Sequence, residues 1–355
     1  MDRSLLHRVC DVVVVGILLL ASTVSAADTP LFPAQPEAGL SSDSANTESH
    51  FRIGVSKSPL SAPFYVAQSL GYFEAEGLTV YLRDCLGGHR CMQSMLRGEV
   101  EYATCSDMVI MQQASAAEPF YLLASFVSSA DDSQLVVRRS AGIRRPADLV
   151  GKRIGYVKGT ASQYFLDTYL LLSGIDPADN HLIALQPEEM PKALLQGDVD
   201  AISAWQPWSY LSQAQNPEDF RVLNVLKPYL VTFNLVGRVD QVNENPSSGV
   251  RLVRALVRAE QFIAQEPEKA REIVRNILQL EPQMLEAIWR NYQFRVELDQ
   301  SLLVTLQNEY YWLKHVGPEA TGEGRVVDVE PLNFMPYIHA NTLKALDINR
   351  VGILP

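Results

Sequence analysis

The stretch that decides the fold runs from Phe51 to Leu82. It reads Phe51-Arg52-Ile53-Gly54-Val55, then Ala62 to Leu70 and Phe73 to Ala75, then Leu78-Thr79-Val80-Tyr81-Leu82. The first and last runs are short and strand-like, and the last one alternates. The middle is apolar at helical spacing and is broken at Gly71 and Gly77. Strand, helix and strand in so short a span predict a right-handed crossover and a parallel pair.

Outward from there the alternation continues. Gly87-Gly88 turns the chain into a helix from His89 to Arg97, and Gly98 sits where a left-handed cap belongs. Strands are expected at Tyr102–Thr104, Tyr121–Phe126 and Gln134–Arg138, and a helix at Met108–Ala116. The pattern then restarts. A short helix at Pro146–Leu149 precedes a strand at Arg153–Val157, the loop Lys158-Gly159-Thr160 and a helix at Ala161–Ser173. Strands His181–Leu185 and Ala201–Ala204 follow, with helices Glu188–Gln196 and Pro207–Ala214. Two such units predict an α/β protein of two lobes, each a mainly parallel sheet with flanking helices. Gln134–Arg138 and Val231–Val236 are the expected crossing strands. From Asp240 onward the text is helical, with amphipathic cover helices at Val250–Ala264, Pro267–Leu278, Pro282–Asn291 and Gln300–His315.

The amino terminus reads as an address. Arg3, His7 and Arg8 precede the apolar run Val12–Ala21, and Val24-Ser25-Ala26 offers small residues for cleavage. The run is shorter than the roughly 20 residues a membrane-spanning helix needs. Residues 1–26 are therefore expected to be a signal peptide cleaved near Ala26, and 27–50 a disordered tether, in a periplasmic protein. Cys10 precedes the apolar run, which argues against a lipid-attached mature end. The net charge of −11 argues against a nucleic-acid partner, because a phosphate backbone is held by clustered Lys and Arg. It does not exclude a small anion, since local donors outweigh a distant screened field. Cys85, Cys91 and Cys105 remain after cleavage. They are read either as a Cys85–Cys91 disulfide with one thiol left over or as free buried thiols. Cys85, His89 and Cys91 lack the second ligand pair of a structural zinc site, so neither metal nor cofactor is expected.

The string Pro63-Phe64-Tyr65-Val66-Ala67 followed by Gly71-Tyr72-Phe73-Glu74-Ala75-Glu76-Gly77-Leu78 carries a resemblance. Four further matches follow in order: Gly87-Gly88, then Leu96 to Ala103, then Ala147 to Ile154 before Lys158–Ser162, then Leu195 to Ala201 before Trp205-Gln206-Pro207. The tail from Pro336 to Leu343 completes them. Over residues 51–345 the chain resembles the periplasmic binding proteins of ABC importers for nitrate, taurine and aliphatic sulfonates, whose relatives bind thiamine pyrimidine precursors. The resemblance implies a two-lobe periplasmic binding protein fold (type II) with a two-strand hinge and the ligand in the cleft. Lobe I would comprise 51–138 plus 235–345, and lobe II 139–234. It implies a monomeric binder of a small anionic organic solute, partnered by an ABC permease or, alternatively, by a sensor kinase.

Ligands of open parallel sheets sit beyond the carboxyl ends of strands. The residues placed there are Ser58 with Tyr65, then Gly87, Gly88 and His89, then Ser106 and Asp107. In the second unit they are Lys158, Gly159, Thr160 and Ser162, and later Trp205 and Gln206. A glycine before a helix lets backbone approach a ligand while first-turn N–H groups point at it, an arrangement that suits anions. Capping by Thr160 and Asp107 is the plainer reading of those two side chains. Tyr65, Tyr156 and Trp205 are the candidate aromatic walls. No nucleophile elbow, zinc helix or phosphate loop occurs. Cys105 with His89 is the one thiolate pair to weigh, and the cysteine-rich motif of the pyrimidine-precursor synthases on this fold is missing. The expectation is a binder, not an enzyme.

Overall fold

The computed structural model describes residues 49–223, 226–315 and 330–353. The expected signal peptide and nearly all of the tether lie outside the described residues. The tether's last two positions, Ser49 and His50, already pair in a strand. That strand, β1 (Ser49–Ser56), runs parallel to β2 (Leu78–Cys85) from Ser49 opposite Leu78 to Ser56 opposite Cys85. The Ala62–Ser69 helix and the turn Tyr72–Ala75 make the crossover.

The remaining strands are β3 (Tyr102–Ser106), β4 (Tyr121–Ser129), β5 (Ser133–Arg138), β6 (Arg153–Tyr156), β7 (His181–Ala184), β8 (Ala201–Trp205), β9 (Phe220–Val222), β10 (Val231–Gly237) and β11 (Gln293–Glu297). They form two sheets with flanking helices. The first has the order β11-β4-β10-β3-β1-β2 and the second β7-β6-β8-β5-β9.

Both sheets are mixed rather than mainly parallel. In the first, β10 lies antiparallel between β3 and β4. In the second, β5 lies antiparallel between β8 and β9. These intruders are the two strands that have just crossed from the other sheet. A strand reached without its own crossover helix enters against its neighbours' direction. The chain thus leaves the first sheet between Ser129 and Ser133 and returns between Leu223 and Val231. The expected boundary at 138 falls after β5, which pairs wholly in the second sheet, and the one at 235 falls inside β10, which pairs wholly in the first.

The helical text after Asp240 is interrupted once. Gln293–Glu297 pairs as edge strand β11 on β4 between the Pro282–Trp289 and Gln300–His315 helices. The long Pro246–Gln265 helix buries Leu252, Val253, Leu256 and Ile263 at helical spacing. It packs on the Ala62–Ser69 helix, whose Phe64 meets Phe126 edge-to-face with centroids 5.0 Å apart. The second sheet has its own core of Val136, Ile202, Ala204, Met190, Leu194 and Phe220. Burial of each large apolar side chain contributes about 1.5–3 kcal/mol. Among the described residues no helix is long and apolar enough to cross a membrane.

Candidate functional site

The carboxyl edge of the first sheet is held together by backbone. Lys57 N–H donates to the Cys85 carbonyl at 2.9 Å, and Ser56 N–H donates to Thr104 Oγ1 at 2.9 Å. Ser58 follows in extended conformation, and its hydroxyl is enclosed without a hydrogen-bond partner among the described residues. Tyr65, expected as an open aromatic wall, is only 2% exposed and donates its hydroxyl to the Ser56 carbonyl at 3.4 Å. It lies on the buried side of its helix, so its ring is packed rather than presented.

The two glycines at 87 and 88 have different reasons. Gly87 is exposed with φ +91°, and open space faces it. Gly88 is buried, and a Cβ there would meet the Cys105 Cα at 2.7 Å. The second glycine therefore serves close packing of the Gly88–Leu96 helix on β3. His89 is exposed in that helix's first turn.

Ser106 is half-buried at the start of the Asp107–Ser115 helix and its side chain makes no capping bond. Asp107 is fully buried, and its oxygens are already engaged. Oδ1 accepts from Met108 N–H at 2.8 Å and from the Tyr229 hydroxyl. Oδ2 accepts from Thr232 N–H at 2.7 Å and Thr232 Oγ1 at 3.2 Å. Burial pushes this carboxyl up to about 6, while those donors oppose the shift. Asp107 fastens the returning chain, which corrects its assignment to the ligand.

In the second sheet, Gly159 has φ +71°, and its N–H donates to Gln163 Oε1 at 2.8 Å. Thr160 caps the Ala161–Leu172 helix: Oγ1 accepts from Ser162 N–H at 3.2 Å and donates to the Val157 carbonyl at 2.8 Å. Ser162 is fully buried. Its Oγ accepts from Val157 N–H at 2.9 Å and donates to the Ser203 carbonyl at 2.7 Å, and Ser203 Oγ returns a bond to the Ser162 carbonyl at 2.8 Å. The Ser162 hydroxyl is therefore internal to the loop, a second correction. The helix keeps its outward first-turn amides at Thr160 and Ala161. Lys158 is exposed.

Trp205 ends β8 directly opposite Ser133, the first residue of β5, so the two side chains share a face. Trp205 is half-buried, while Ser133 is 6% exposed and its hydroxyl has no partner among the described residues. The Ser162–Ser203 clamp fixes the Gly159–Ser162 loop two residues before Trp205. Gln206 is spent on structure: its N–H donates to the Asp132 carbonyl at 3.1 Å, and its side chain bonds Gln134 at 3.4 Å and Tyr210 N–H at 3.3 Å.

The two edges meet at Gln112, whose Nε2 donates to the Gly159 carbonyl at 2.7 Å. The Lys158–Ser162 loop thus faces the helix that follows Ser106. Gln112, Ser133 and Ser203 escaped sequence reading. Ser133 alone had a signal, as a small polar residue beside an expected crossing strand.

The three cysteines are free and buried, so the Cys85–Cys91 disulfide is not formed. Both flank Gly54, where a Cβ would lie 3.4 Å from Cys85 Sγ and from Cys91 Cβ. Burial pushes the Cys105 thiol up, against the thiolate a nucleophile needs. Among the described residues no group of three or more His, Cys, Asp or Glu side chains is arranged to hold a metal.

Residues 58–270 match the family described as NMT1/THI5 like. A Bacillus subtilis (strain 168) protein with the provisional name aliphatic sulfonates-binding protein is 24% identical over 265 residues, 73% of this chain and 78% of its own length. The taurine-binding periplasmic protein of Escherichia coli (strain K12) is 31% identical over 148 residues, 41% of this chain and 45% of its own. The solved periplasmic aliphatic sulphonate binding protein SsuA of Escherichia coli superposes with a TM-score of 0.65 at 17% identity, covering 75% of this chain and 92% of that one. The last likeness gives the architecture, the periplasmic binding protein fold, and the match over residues 58–270 gives the kinship: the chain belongs to the NMT1/THI5-like family.

Proposed function

We propose that this chain is an extracytoplasmic solute-binding protein that captures a small anionic organic solute, such as a sulfonate, or nitrate, between its two halves. It delivers that solute to an ABC permease as a periplasmic monomer whose signal peptide has been removed. The hinge lies at the two chain passages, Ser129–Ser133 and Leu223–Val231. The observation that carries the reading is the Gln112–Gly159 bond, which brings a helix of the first sheet onto a helix N-terminus of the second. Around that junction stand groups suited to an anion bearing an apolar body. They are the amides at Thr160 and Ala161, the unpartnered Ser133 hydroxyl, the Trp205 ring and the exposed Lys158. Ser58, Gly87, His89 and Ser106 line the opposing edge. The named relatives that bind sulfonates and taurine support the same solute class.

Calorimetric titration of the mature protein with alkanesulfonates, taurine, nitrate, carboxylates and pyrimidines tests this. A sulfonate or nitrate is expected to bind, and Trp205→Ala to weaken it. Binding by none of these anions would overturn the solute class. Wild-type affinity in Trp205→Ala would overturn the site.

A further inference from the structure

The Gln300–His315 helix touches both halves of the molecule. It packs along the Asp107–Ser115 helix of the first sheet. Three residues before its end, Trp312 Nε1 donates to Asp167 Oδ2 at 2.9 Å, on the Ala161–Leu172 helix of the second. The Trp312 ring stands edge-on to Tyr164 at 5.4 Å between centroids, and Tyr164 stands edge-on to Tyr229 at 5.1 Å. One turn before Trp312, on the same face, Glu309 is fully buried, with both carboxyl oxygens enclosed.

Glu309 faces the Tyr229 hydroxyl and the Asp107 carboxyl. Tyr229 has one proton, and it goes to Asp107 Oδ1. Asp107 also accepts from Met108 N–H and twice from Thr232. Asp107 is therefore solvated as an anion by fixed donors, whereas neither Glu309 oxygen has a hydrogen-bond partner among the described residues, and its neighbouring donor, the Tyr229 hydroxyl, is aimed at Asp107. The other titratable groups facing the pair are Tyr164 on the Ala161–Leu172 helix, Cys105 on β3 and Asp132 at the first passage. Among the described residues no Lys, Arg or His joins them. Two carboxylates sharing a buried space without a cation are not both ionised, so one proton stays with the pair. The donor count puts it on Glu309.

We propose that Asp107, Tyr229 and Glu309 form a proton-holding clasp that keeps the Gln300–His315 helix docked across both halves, so that closure is tighter at acidic than at alkaline pH. The inference rests on the hinge-closure reading above, but its machinery is independent of any ligand. Loss of the Glu309 proton sets two negative charges face to face with no donor left for the second. The helix then moves Glu309 toward water and carries Trp312 off Asp167. Burial and the neighbouring Asp107 charge raise the Glu309 carboxyl well above its ordinary value, which extends the docked form toward neutral pH.

The test is hydrogen exchange of the ligand-free mature protein, followed by mass spectrometry at pH ~5.5 and ~8.5 and corrected for intrinsic rates. Protection of the Gln300–His315 amides is expected to fall about tenfold or more at the higher pH. In Glu309→Gln, a neutral side chain of the same shape, protection is expected to be the same at both. Equal wild-type protection at the two pH values overturns the clasp, as does an unchanged pH dependence in Glu309→Gln. Should that variant fail to fold, infrared spectroscopy of the wild type decides. A protonated-carboxyl band that vanishes in step with helix protection supports the proposal, and its absence at pH ~5.5 overturns it. Because neither readout uses a solute, failure of the clasp is separable from failure of the solute-binding reading.

Discussion

The chain passes between its sheets twice, and each passage is fastened by a buried aspartate bonded to a tyrosine. At the first, Asp132 accepts from the Tyr292 hydroxyl at 3.0 Å. At the second, Asp107 accepts from Tyr229, and also from two backbone N–H groups and the Thr232 hydroxyl. Burial is nearly the same, 4% exposure for Asp132 and none for Asp107. The carboxyls nevertheless differ: burial pushes Asp132 up to about 7 and Asp107 only to about 6. At equal desolvation, the number of donors aimed at a carboxylate sets how readily it ionises. The second passage is thus built around a more readily ionised carboxylate with several donors, the first around a carboxyl that stays protonated nearly to neutrality.

The sharpest way to break this contrast is to remove one hydroxyl from each passage. Tyr229→Phe takes a donor from an anion, so it is expected to destabilise by about 2–3 kcal/mol at pH 7.5. Tyr292→Phe takes the only side-chain donor found among the described residues from a more weakly ionised group, with an expected loss of about 1 kcal/mol near pH 6. Urea unfolding of the two variants measures both. Equal losses would mean that the passages do not differ in the way argued.

Next in size is a pH effect confined to the first passage. The folded Asp132 holds its proton up to about 7, whereas an unfolded aspartate releases it near ~3.9. Between those limits the folded state binds more protons than the unfolded one, so stability falls as pH rises through the window and levels off above it. Asp132→Asn removes that contribution and keeps an acceptor for Tyr292. The variant is expected to match the wild type near pH 4 and to exceed it by a few kcal/mol at pH 8. The residual slope belongs to Asp107 and Glu309. An unchanged slope in urea midpoints across pH 4–8 would place the Asp132 proton elsewhere.

Much of this architecture was readable from residue order. Strand and helix alternation located β1 to β8, and both crossing strands were placed at their true positions. Their direction was not readable, because antiparallel entry follows from the missing crossover helix rather than from any residue. Edge strand β11 was hidden too. Phe294 and Val296 alternate for too few residues to stand out between two helices. At the site, the sequence found the glycine turns but not which donors remain free. Thr160, Ser162 and Asp107 look like open hydroxyls and carboxylate until their partners Val157, Ser203, Tyr229 and Thr232 are known. Ser203, Tyr229 and Thr232 are far away in sequence, and pattern reading carries no information about them. Gly88 was assigned to the ligand for the same reason, since its close neighbour Cys105 belongs to another strand.

The smallest expected effect separates the passages from the cleft they frame. Gln112 shares no hydrogen bond with Asp107 or Asp132 among the described residues; its amide donates to the Gly159 carbonyl beside the second sheet. Gln112→Ala removes one neutral hydrogen bond worth about 0.5–1.5 kcal/mol, and the loss falls on the closed form alone. Unfolding midpoints at both passages should therefore stay within about 0.5 kcal/mol of wild type. Solute affinity should fall about 2- to 10-fold through faster dissociation, because the proposed closed form loses one of the bonds between its halves. Stopped-flow dissociation of a bound sulfonate reads this directly. If Gln112→Ala instead lowers global stability and leaves dissociation unchanged, the bond belongs to the passages. The two halves would then be one rigid body, and the hinge assigned to Ser129–Ser133 and Leu223–Val231 would have nothing to close.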